Sequence, residues 1–418
     1  MKKLLLLIPL WLITNQLKAD SICSVINTPG ISQLGGDALA DPTDTNDSMY
    51  CINVSNVIFD LGGFNIAQDP SNRIAGFNAI NISPGLSNIV IRNGTVQGMT
   101  GVGIFVGAGC NNISLENMSV IDCDATGILF NGNSASVIQD GLVDNCLIYS
   151  CTGANGNPAY GLRLIYCDNI NVQGSTFDRN DAGDTNNGYG ISSEWCTTCR
   201  FGDCEVNANG GMSLGVGINI YNSQWSIIQN CNAINTVGRG TGSASAIGFL
   251  IDTSNHTTIS NCISKHNNNV LAEAYAFKAT NGSDNLFSNC EANQTIGGTI
   301  AAGFLFNNTE SASSIINSQA RVNNGGTAGT GYGILLDTAQ NCDILFNNLT
   351  NNNGLVGVGL KDTVVDTTNL IAGTVSFNNA TAGYQVSRTT GSFPVITASL
   401  GDFSTTLTSK YVNINFIQ

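Results

Sequence analysis

The residues of this 418-residue chain with the clearest chemical potential are two carboxylates in its middle part. Glu194 ends the segment that begins at Gly190, and Asp252 ends the similar segment that begins at Gly248, so both acids occupy the same slot. Two carboxylates on one surface can serve as the general acid and the general base that cleave a glycosidic bond. Whether they do so depends on the distance at which the fold holds them.

Basic and polar side chains lie in the equivalent segments before and after the two acids. Arg163 is suited either to binding an acidic sugar or to acting as the base of a lyase, and Lys278 is a second cation for an acidic sugar. The alternative is that these charges belong to an ordinary solvated face. The catalytic candidates are Arg163, Glu194 and Asp252, and the substrate-binding candidates are Asn219, Tyr221 and Lys278.

An acid-rich stretch offers oxygen ligands for a hard cation. Asp178, Asp181 and Asp184 lie close together in the chain, and carboxylate oxygens are the ligands that Ca²⁺ prefers. Asp is also a common turn residue, so the same cluster fits a plain loop. Calcium is the one cofactor that the sequence suggests.

Other residue types that bind metals or react lack a suitable context. Cys196 and Cys199 form a CxxC with Cys204 nearby, but the sequence shows neither a fourth zinc ligand nor a helix amino terminus that would activate a thiol. His256 and His266 are the only histidines, and solvated turn positions are the expectation for both. Cysteines that directly follow the recurring Asn described below are expected to fill the core.

A repeat with a period of roughly 28 residues positions all of these side chains. A Gly or Ala that opens a short apolar run returns at 103, 127, 161, 190, 217, 248, 276, 303, 333, 357 and 383. A second series, mostly Asn, follows at 117, 145, 174, 203, 230, 261, 289, 317 and 347. A fixed period of this length without a helical pattern predicts a solenoid of stacked β-coils.

The composition supports this architecture and the spacing refines it. Charged residues make up 11% of the chain, too few for the wet faces of long amphipathic helices. The distance from a member of the first series to the following member of the second is 13 or 14 residues in eight of nine coils. The distance from there to the next member of the first series varies between 10 and 18 residues. The length variation therefore lies in one turn, whose loops are the natural place for binding.

Each coil is predicted to contain three strands, of which the first begins at the Gly or Ala. Strand alternation directs the residue after that position inward and the residues two and four positions after it outward. Glu194 and Asp252 then lie on the outer face, two coils apart, with Cα atoms roughly 9 to 10 Å from each other. This separation is compatible with an inverting pair of carboxylates.

The chain resembles the right-handed parallel β-helix proteins of the pectate-lyase-like superfamily. The resemblance covers roughly residues 50 to 386 and depends on the Asn series together with the segments Val57 to Gly63 and Ile89 to Thr95. It implies an all-β fold, a single-stranded right-handed parallel β-helix of about twelve three-strand coils with terminal caps. Lyases, hydrolases, epimerases, tailspikes and adhesins all share this fold. The catalytic motifs of polygalacturonases have no match here, the nearest fragment being Arg73 to Ala75.

The expected organisation is a signal peptide over residues 1–19, an amino-terminal cap over 20–50, the β-helix over 51–386 and a carboxy-terminal cap over 387–418. Loss of Lys2, Lys3 and Lys18 with the signal peptide changes the formal charge from -14 to -17, which disfavours nucleic acid as a partner. No later segment is apolar enough to span a membrane. We expect a secreted or cell-surface protein, in which a Cys23–Cys51 disulfide ties the cap to the first coil.

Two functions fit these observations. The first is a non-catalytic exported β-helix that serves in adhesion or binds a polysaccharide, a cell-surface glycan or a protein. The second is a polysaccharide lyase, hydrolase or epimerase with a groove on the outer face of the first strand. The absence of recognised catalytic motifs favours the first. The sequence leaves the oligomeric state open, a trimer included.

Overall fold

The structure is a computed structural model that describes residues 23–40, 48–71, 73–153, 157–183, 186–241, 244–363 and 369–386. Every regular element in these ranges is a β-strand. Corresponding strands of successive coils pair in parallel, and the chain winds into a β-solenoid of about twelve turns. The predicted fold class is therefore confirmed. No helix in the described ranges is long and apolar enough to cross a bilayer.

The first strands of the coils form one continuous sheet of fourteen strands, called here the first sheet. Its strands are Ser24–Ile26, Ser48–Ile52, Asn78–Ile82, Val102–Val106, Thr126–Asn131, Ala159–Ile165, Gly188–Glu194, Leu214–Tyr221, Ser245–Asp252, Glu273–Thr280, Ile300–Asn307, Thr330–Asp337, Val356–Asp362 and Ala382–Val386.

The second and third strands of the coils complete the wall of the solenoid. The second strands are Gly30–Gln33, Val57–Asp60, Ile138–Asp144, Cys167–Gln173, Arg200–Gly202, Ile227–Gln229, Thr258–Ser260, Leu286–Ser288, Ser314–Ile316, Asp343–Leu345 and Leu370–Ala372. The third strands are Ala38–Ala40, Asn65–Gln68, Leu147–Tyr149, Thr176–Asp178, Glu205–Asn207, Asn232–Ile234, Ile263–Lys265, Glu291–Asn293, Gln319–Arg321, Asn348–Thr350 and Val375–Phe377. In two coils they merge into Ser87–Gln97 and Asn111–Ile121.

A short fourth sheet lies in the turn that leads from the third strand back to the first. Its strands are Gly210–Gly211, Val237–Gly238, Asn268–Asn269 and Ile296–Gly297. It occupies the turn in which the sequence shows the greatest length variation. These loops are therefore partly ordered by pairing with one another.

The described β-helix begins earlier than the predicted boundary at residue 51. That boundary falls inside strand Ser48–Ile52, which pairs with Ser24–Ile26, so most of the segment predicted as an amino-terminal cap forms a first coil. The predicted signal peptide, residues 1–19, and the predicted carboxy-terminal cap, residues 387–418, lie outside the described residues.

The glycine that opens each first strand is required by close packing. A Cβ atom on Gly190 would lie 2.3 Å from Val206 Cγ1 and 2.8 Å from the carbonyl oxygen of Gly217 in the next coil. The glycine position therefore faces the interior, as does Ile191 directly after it. Gly190 and Ile191 are thus two consecutive inward positions, which breaks the usual alternation of side chains along the strand. The residue before the glycine, Tyr189, therefore faces outward.

The second turn owes its Asn residues to backbone conformation. Asn117, Asn145, Asn230, Asn261, Asn289 and Asn317 all have φ between 49° and 54°, a region that Asn tolerates better than other residues with a side chain. The equivalent position in the following coil is Phe346, with φ 57°, and not Asn347. Asn347 is buried one position further on, where its Oδ1 accepts a hydrogen bond from the Ser318 amide at 2.8 Å.

The cysteines divide into one disulfide and twelve buried free thiols. Cys23 and Cys51 are bonded, with Cα atoms 5.9 Å apart. The cysteines that follow the Asn position each donate their thiol to the carbonyl oxygen two residues earlier, for example Cys204 to Gly202 at 3.2 Å. The members of this ladder are Cys146, Cys204, Cys231, Cys262 and Cys290.

Candidate functional site

Strand pairing arranges the predicted site residues in two columns on the outer face of the first sheet. In one column Arg163, Ser192, Asn219, Leu250 and Lys278 follow one another from coil to coil. In the other column Ile165, Glu194, Tyr221, Asp252 and Thr280 do the same. The Cα atoms of Glu194 and Asp252 are therefore two strand spacings apart, about 9 to 10 Å.

Arg163 and Glu194 form a bidentate ion pair across adjacent coils. Arg163 Nε donates to Glu194 Oε1 at 2.9 Å, and Nη2 donates to Oε2 at 2.8 Å. The Glu194 side chain retains 9% of its exposure, and that of Arg163 retains 31%. Both carboxylate oxygens are thus engaged by one guanidinium group, the strongest geometry for such a pair.

Two polar side chains extend this pair into a network over three coils. Ser192 Oγ donates to Glu194 Oε1 at 3.0 Å, and Asn219 Nδ2 donates to Ser192 Oγ at 3.0 Å. Ser192, Glu194 and Asn219 are all buried to 7% exposure or less. The structure therefore joins three predicted site residues, Arg163, Glu194 and Asn219, through a serine that the sequence analysis did not single out.

Glu194 raises the pKa of the Arg163 guanidinium. Burial lowers the pKa of the Arg163 guanidinium, but the hydrogen bonds and the negative charge of Glu194 outweigh it, so the net pKa is raised. A base must release its proton near the working pH, and raising the pKa of an arginine makes that harder. The Glu194 carboxylate accepts hydrogen bonds from this cation at both of its oxygens.

Tyr221 and Asp252 lie beside the network but do not belong to it. Tyr221 pairs in register with Glu194 on one side and with Asp252 on the other. Asp252 Oδ1 accepts hydrogen bonds from Thr253 Oγ1 at 2.9 Å and from Asn281 Nδ2 at 3.3 Å. These partners hold Asp252 toward the turn that follows the strand.

Lys278 occupies a different environment from the other candidates. Its Nζ lies 5.0 Å from the centre of the Tyr275 ring. Burial lowers the pKa of the Lys278 ammonium group, while the charges of Glu273 and Asp252 act in the opposite direction. It lies four strands from Arg163, so the structure does not bring the two cations together.

The outer face changes character after the polar network. Apolar side chains from six consecutive strands form a second hydrophobic cluster, separate from the core of the solenoid. Its buried members are Val216, Ile247, Leu250, Tyr275, Ala302, Leu305, Tyr332, Leu335 and Val358. The outer face of the first sheet is therefore polar around Arg163 and apolar from Leu250 onward.

Sequence reasoning missed a column of aromatic residues beside the site. Tyr160 and Tyr189 stack with ring centres 4.9 Å apart, and Arg163 Cζ lies 4.6 Å from the centre of the Tyr160 ring. Both tyrosines directly precede the inward glycine. A signal was present, since a Tyr three residues before a cation occurs at Tyr160 and Arg163 and again at Tyr275 and Lys278.

The structure describes two of the three predicted calcium ligands, Asp178 and Asp181. Asp181 forms an ion pair with Arg239, whose Nη1 donates to Asp181 Oδ1 at 2.7 Å. Burial raises the pKa of Asp178, and Asp184 lies outside the described residues. Within the described ranges, no three His, Cys, Asp or Glu side chains are arranged to hold a metal ion. A calcium site here stays a prediction.

The coils and the sequence together define the class of protein. The family model described as "Right handed beta helix region" matches residues 78–246, and the same coil architecture continues on both sides of the match. The chain therefore has the right-handed parallel β-helix fold that the sequence predicted. A search of curated proteins found no match.

Several solved structures resemble this one in fold, at low sequence identity. The A-module of the mannuronan C-5 epimerase AlgE4 from Azotobacter vinelandii has 11% identity and a TM-score of 0.41, with 93% of this chain and 91% of that chain covered. The periplasmic alginate epimerase AlgG has 10% identity and a TM-score of 0.39, with coverages of 92% and 78%. The Streptococcus pneumoniae surface adhesin PfbA has 11% identity and a TM-score of 0.37, with coverages of 76% and 82%.

Proposed function

We propose that the protein is a non-catalytic exported β-helix that binds a glycan through the polar part of its first sheet. The observation that carries this proposal is the network of Arg163, Glu194, Ser192 and Asn219. The buried Glu194, Ser192 and Asn219 hold the guanidinium group of Arg163, which is 31% exposed, on a rigid sheet. A guanidinium group held in this way can bind sugar hydroxyls. The stacked rings of Tyr160 and Tyr189 lie beside it and add apolar surface.

The same network argues against catalysis at this position. Glu194 is the acid of the predicted catalytic pair, and both of its oxygens already accept hydrogen bonds from Arg163. Displacing the guanidinium would leave a nearly buried carboxylate without its partner, which is energetically unfavourable. The pair is therefore better suited to orienting a bound sugar than to exchanging protons with it.

A polysaccharide-active enzyme is the second candidate, and one observation favours it. Glu194 and Asp252 share an outward column at two strand spacings, about 9 to 10 Å, which leaves room for a water between sugar and base. This candidate requires Glu194 to exchange Arg163 for a substrate oxygen when the ligand binds.

One experiment separates the two candidates. Purified protein is tested against immobilised neutral and acidic polysaccharides, and each polysaccharide is also assayed for new reducing ends and for absorbance from unsaturated sugars. We expect binding without turnover. Asn219→Ala should weaken that binding, whereas Asn230→Ala, in the second turn of the same coil, should leave it unchanged. Turnover that disappears in Glu194→Gln or Arg163→Ala would favour the enzyme instead.

A further inference from the structure

Both tryptophans of the described chain are exposed on one corner of the solenoid. Trp195 and Trp225 lie in neighbouring coils, in the turn between the first and second strands, and retain 41% and 55% of their accessible surface. Tryptophan is a large apolar residue that is highly buried on average. Two exposed copies on one turn therefore call for an explanation other than packing.

Other aromatic side chains hold each tryptophan in place on this turn. Tyr166 stacks on Trp195 with ring centres 5.3 Å apart and planes 12° apart, and Tyr221 meets Trp195 edge-on at 5.5 Å. Trp225 stacks on His256 at 3.9 Å. We call these five residues the aromatic turn. It consists of two groups, one around Trp195 and one around Trp225. Ring contacts hold the side chains within each group, and both tryptophans offer apolar surface to solvent.

The backbone at these positions is unfavourable for a bulky side chain. Trp195 and Trp225 have φ of 54° and 57°, in the left-handed region where aromatic residues are uncommon. Asn takes the position of Trp195 in three other coils and the position of Trp225 in two. These residues are Asn222, Asn281 and Asn308 for Trp195, and Asn169 and Asn341 for Trp225. Other coils carry Tyr166 or Thr253 at the first position, and Thr198, His256, Asp284 or Ala312 at the second. Asn tolerates this backbone region better than Trp does, and residues held in sparsely populated backbone regions cluster at functional sites.

The charges around the aromatic turn indicate which ligand fits. Asp168 accepts hydrogen bonds from Thr197 at 2.8 Å and from Thr198 at 2.6 Å, and Asp284 lies 3.7 Å from His256 Nε2. Arg163, the cation nearest to Trp195 on the first sheet, is already paired with Glu194. The chain as a whole carries a formal charge of -14. A polyanionic sugar would be repelled here, whereas a neutral one would not.

We infer that the aromatic turn binds a neutral, hydroxyl-rich glycan by stacking sugar rings on Trp195 and Trp225. The apolar face of a pyranose ring packs against the flat indole, and its hydroxyl groups reach Thr197, Thr198 and the neighbouring carboxylates. The inference rests on the proposed glycan-binding function and names the class of ligand. It adds a second surface, around the corner from the Arg163 network.

The test uses variants that replace each tryptophan by the Asn that some other coils carry at the same position. Trp195→Asn and Trp225→Asn are titrated by calorimetry with glucose hexasaccharides linked β-1,4 and β-1,3, and with a galacturonate hexasaccharide as the acidic ligand. We expect wild type to bind a neutral hexasaccharide with quenching of tryptophan fluorescence, and each variant to bind it at least about tenfold more weakly. The melting temperature should be equal to that of wild type or higher, because Asn suits the left-handed backbone.

Phe346→Asn is the matched control, since Phe346 is also aromatic, 61% exposed and at positive φ, but lies on the second turn. It should leave binding unchanged. Neutral-glycan binding that survives in both tryptophan variants and falls in Asn219→Ala would overturn the inference and leave the proposed function intact. Tryptophan-dependent binding of the galacturonate hexasaccharide in preference to the neutral ones would also overturn it. Failure of wild type to bind any glycan would overturn both.

Discussion

Arg163 and Glu194 lie on adjacent coils, and the guanidinium of the first grips both oxygens of the second at 2.8 and 2.9 Å. They are not opposite each other in the sheet, because Arg163 pairs with Ser192 and Glu194 pairs with Ile165. The ion pair therefore runs diagonally across the two strands. It engages both oxygens of Glu194, which the sequence had suggested as a catalytic acid.

This relationship predicts strong coupling between the two side chains. Arg163→Met alone should lower the free energy of unfolding by about 1–3 kcal/mol, because it leaves the nearly buried Glu194 carboxylate without a partner. The double variant Arg163→Met, Glu194→Gln should recover most of that loss. A double-mutant cycle in denaturant measures the coupling energy. Independent, additive effects of the two substitutions would contradict the bidentate pair.

Lys278 is predicted to contribute little to glycan binding. Its aliphatic chain lies on the apolar part of the face and its Nζ contacts the Tyr275 ring, four strands from Arg163. Lys278→Met should change the free energy of unfolding by less than about 1 kcal/mol and leave binding on the polysaccharide panel unchanged. Lys265→Met, which removes a cation paired with Glu291 on the third strand, is the matched control. Loss of glycan binding in Lys278→Met but not in Lys265→Met would show that Lys278 takes part in binding.

Glu310 is predicted to make stability depend on pH. It is fully buried, where it accepts hydrogen bonds from the Gly282 amide and Asn285 Nδ2, both at 2.9 Å. Burial raises its pKa above the ordinary value of 4.5, despite the opposing effect of these hydrogen bonds. The native state therefore holds this proton more tightly than the unfolded chain does, and stability falls as pH rises from 4.5 through the raised value.

Glu310→Gln removes the titrating group and with it this dependence. The free energy of unfolding of the variant should rise relative to that of wild type as pH increases through the same window. Ser311→Ala, a non-titrating change on the same turn, is the control, and its difference from wild type should not vary with pH. Urea unfolding at several pH values measures both. A constant difference for Glu310→Gln would show that Glu310 does not titrate in this window.

The Cys23–Cys51 disulfide is predicted to stabilise the first coil. It joins two strands that are 28 residues apart in sequence, and closing a loop of that size typically contributes about 2–4 kcal/mol. The other twelve cysteines are free thiols, so a reductant should act on this bond alone. Reduction, or the pair Cys23→Ala and Cys51→Ala, should lower the unfolding midpoint. Equal midpoints with and without reductant would rule out this contribution.

Much of the fold followed from the repeat alone, because parallel coils place equivalent residues one strand spacing apart. The outward columns of Arg163 and Glu194 were correctly predicted in this way. The register slipped near the end of the chain, where Asn347 and Gly357 were chosen although Phe346 and Gly359 occupy the repeat positions. A residue of unusual type at one position is enough to shift a pattern that depends on residue type.

The details of the site were harder to predict, for two physical reasons. Simple alternation of side chains predicts that Tyr160 and Tyr189 point inward. The glycine that follows each of them also faces inward, which shifts the alternation by one residue and turns both tyrosines outward. The diagonal pairing of Arg163 with Glu194 depends on side-chain reach, which strand position alone does not determine. The exposed Trp195 and Trp225 were overlooked because the sequence does not state which turn residues have positive φ.

The central claim is that the outer face and its adjoining turn hold a glycan without altering it. The most direct test incubates purified protein with the glycan that binds most tightly on the panel, and compares the mass and the linkages of that glycan before and after. The account predicts an unchanged glycan that is recovered intact on release. Cleavage, elimination or epimerisation of the glycan that is lost in Glu194→Gln would contradict it.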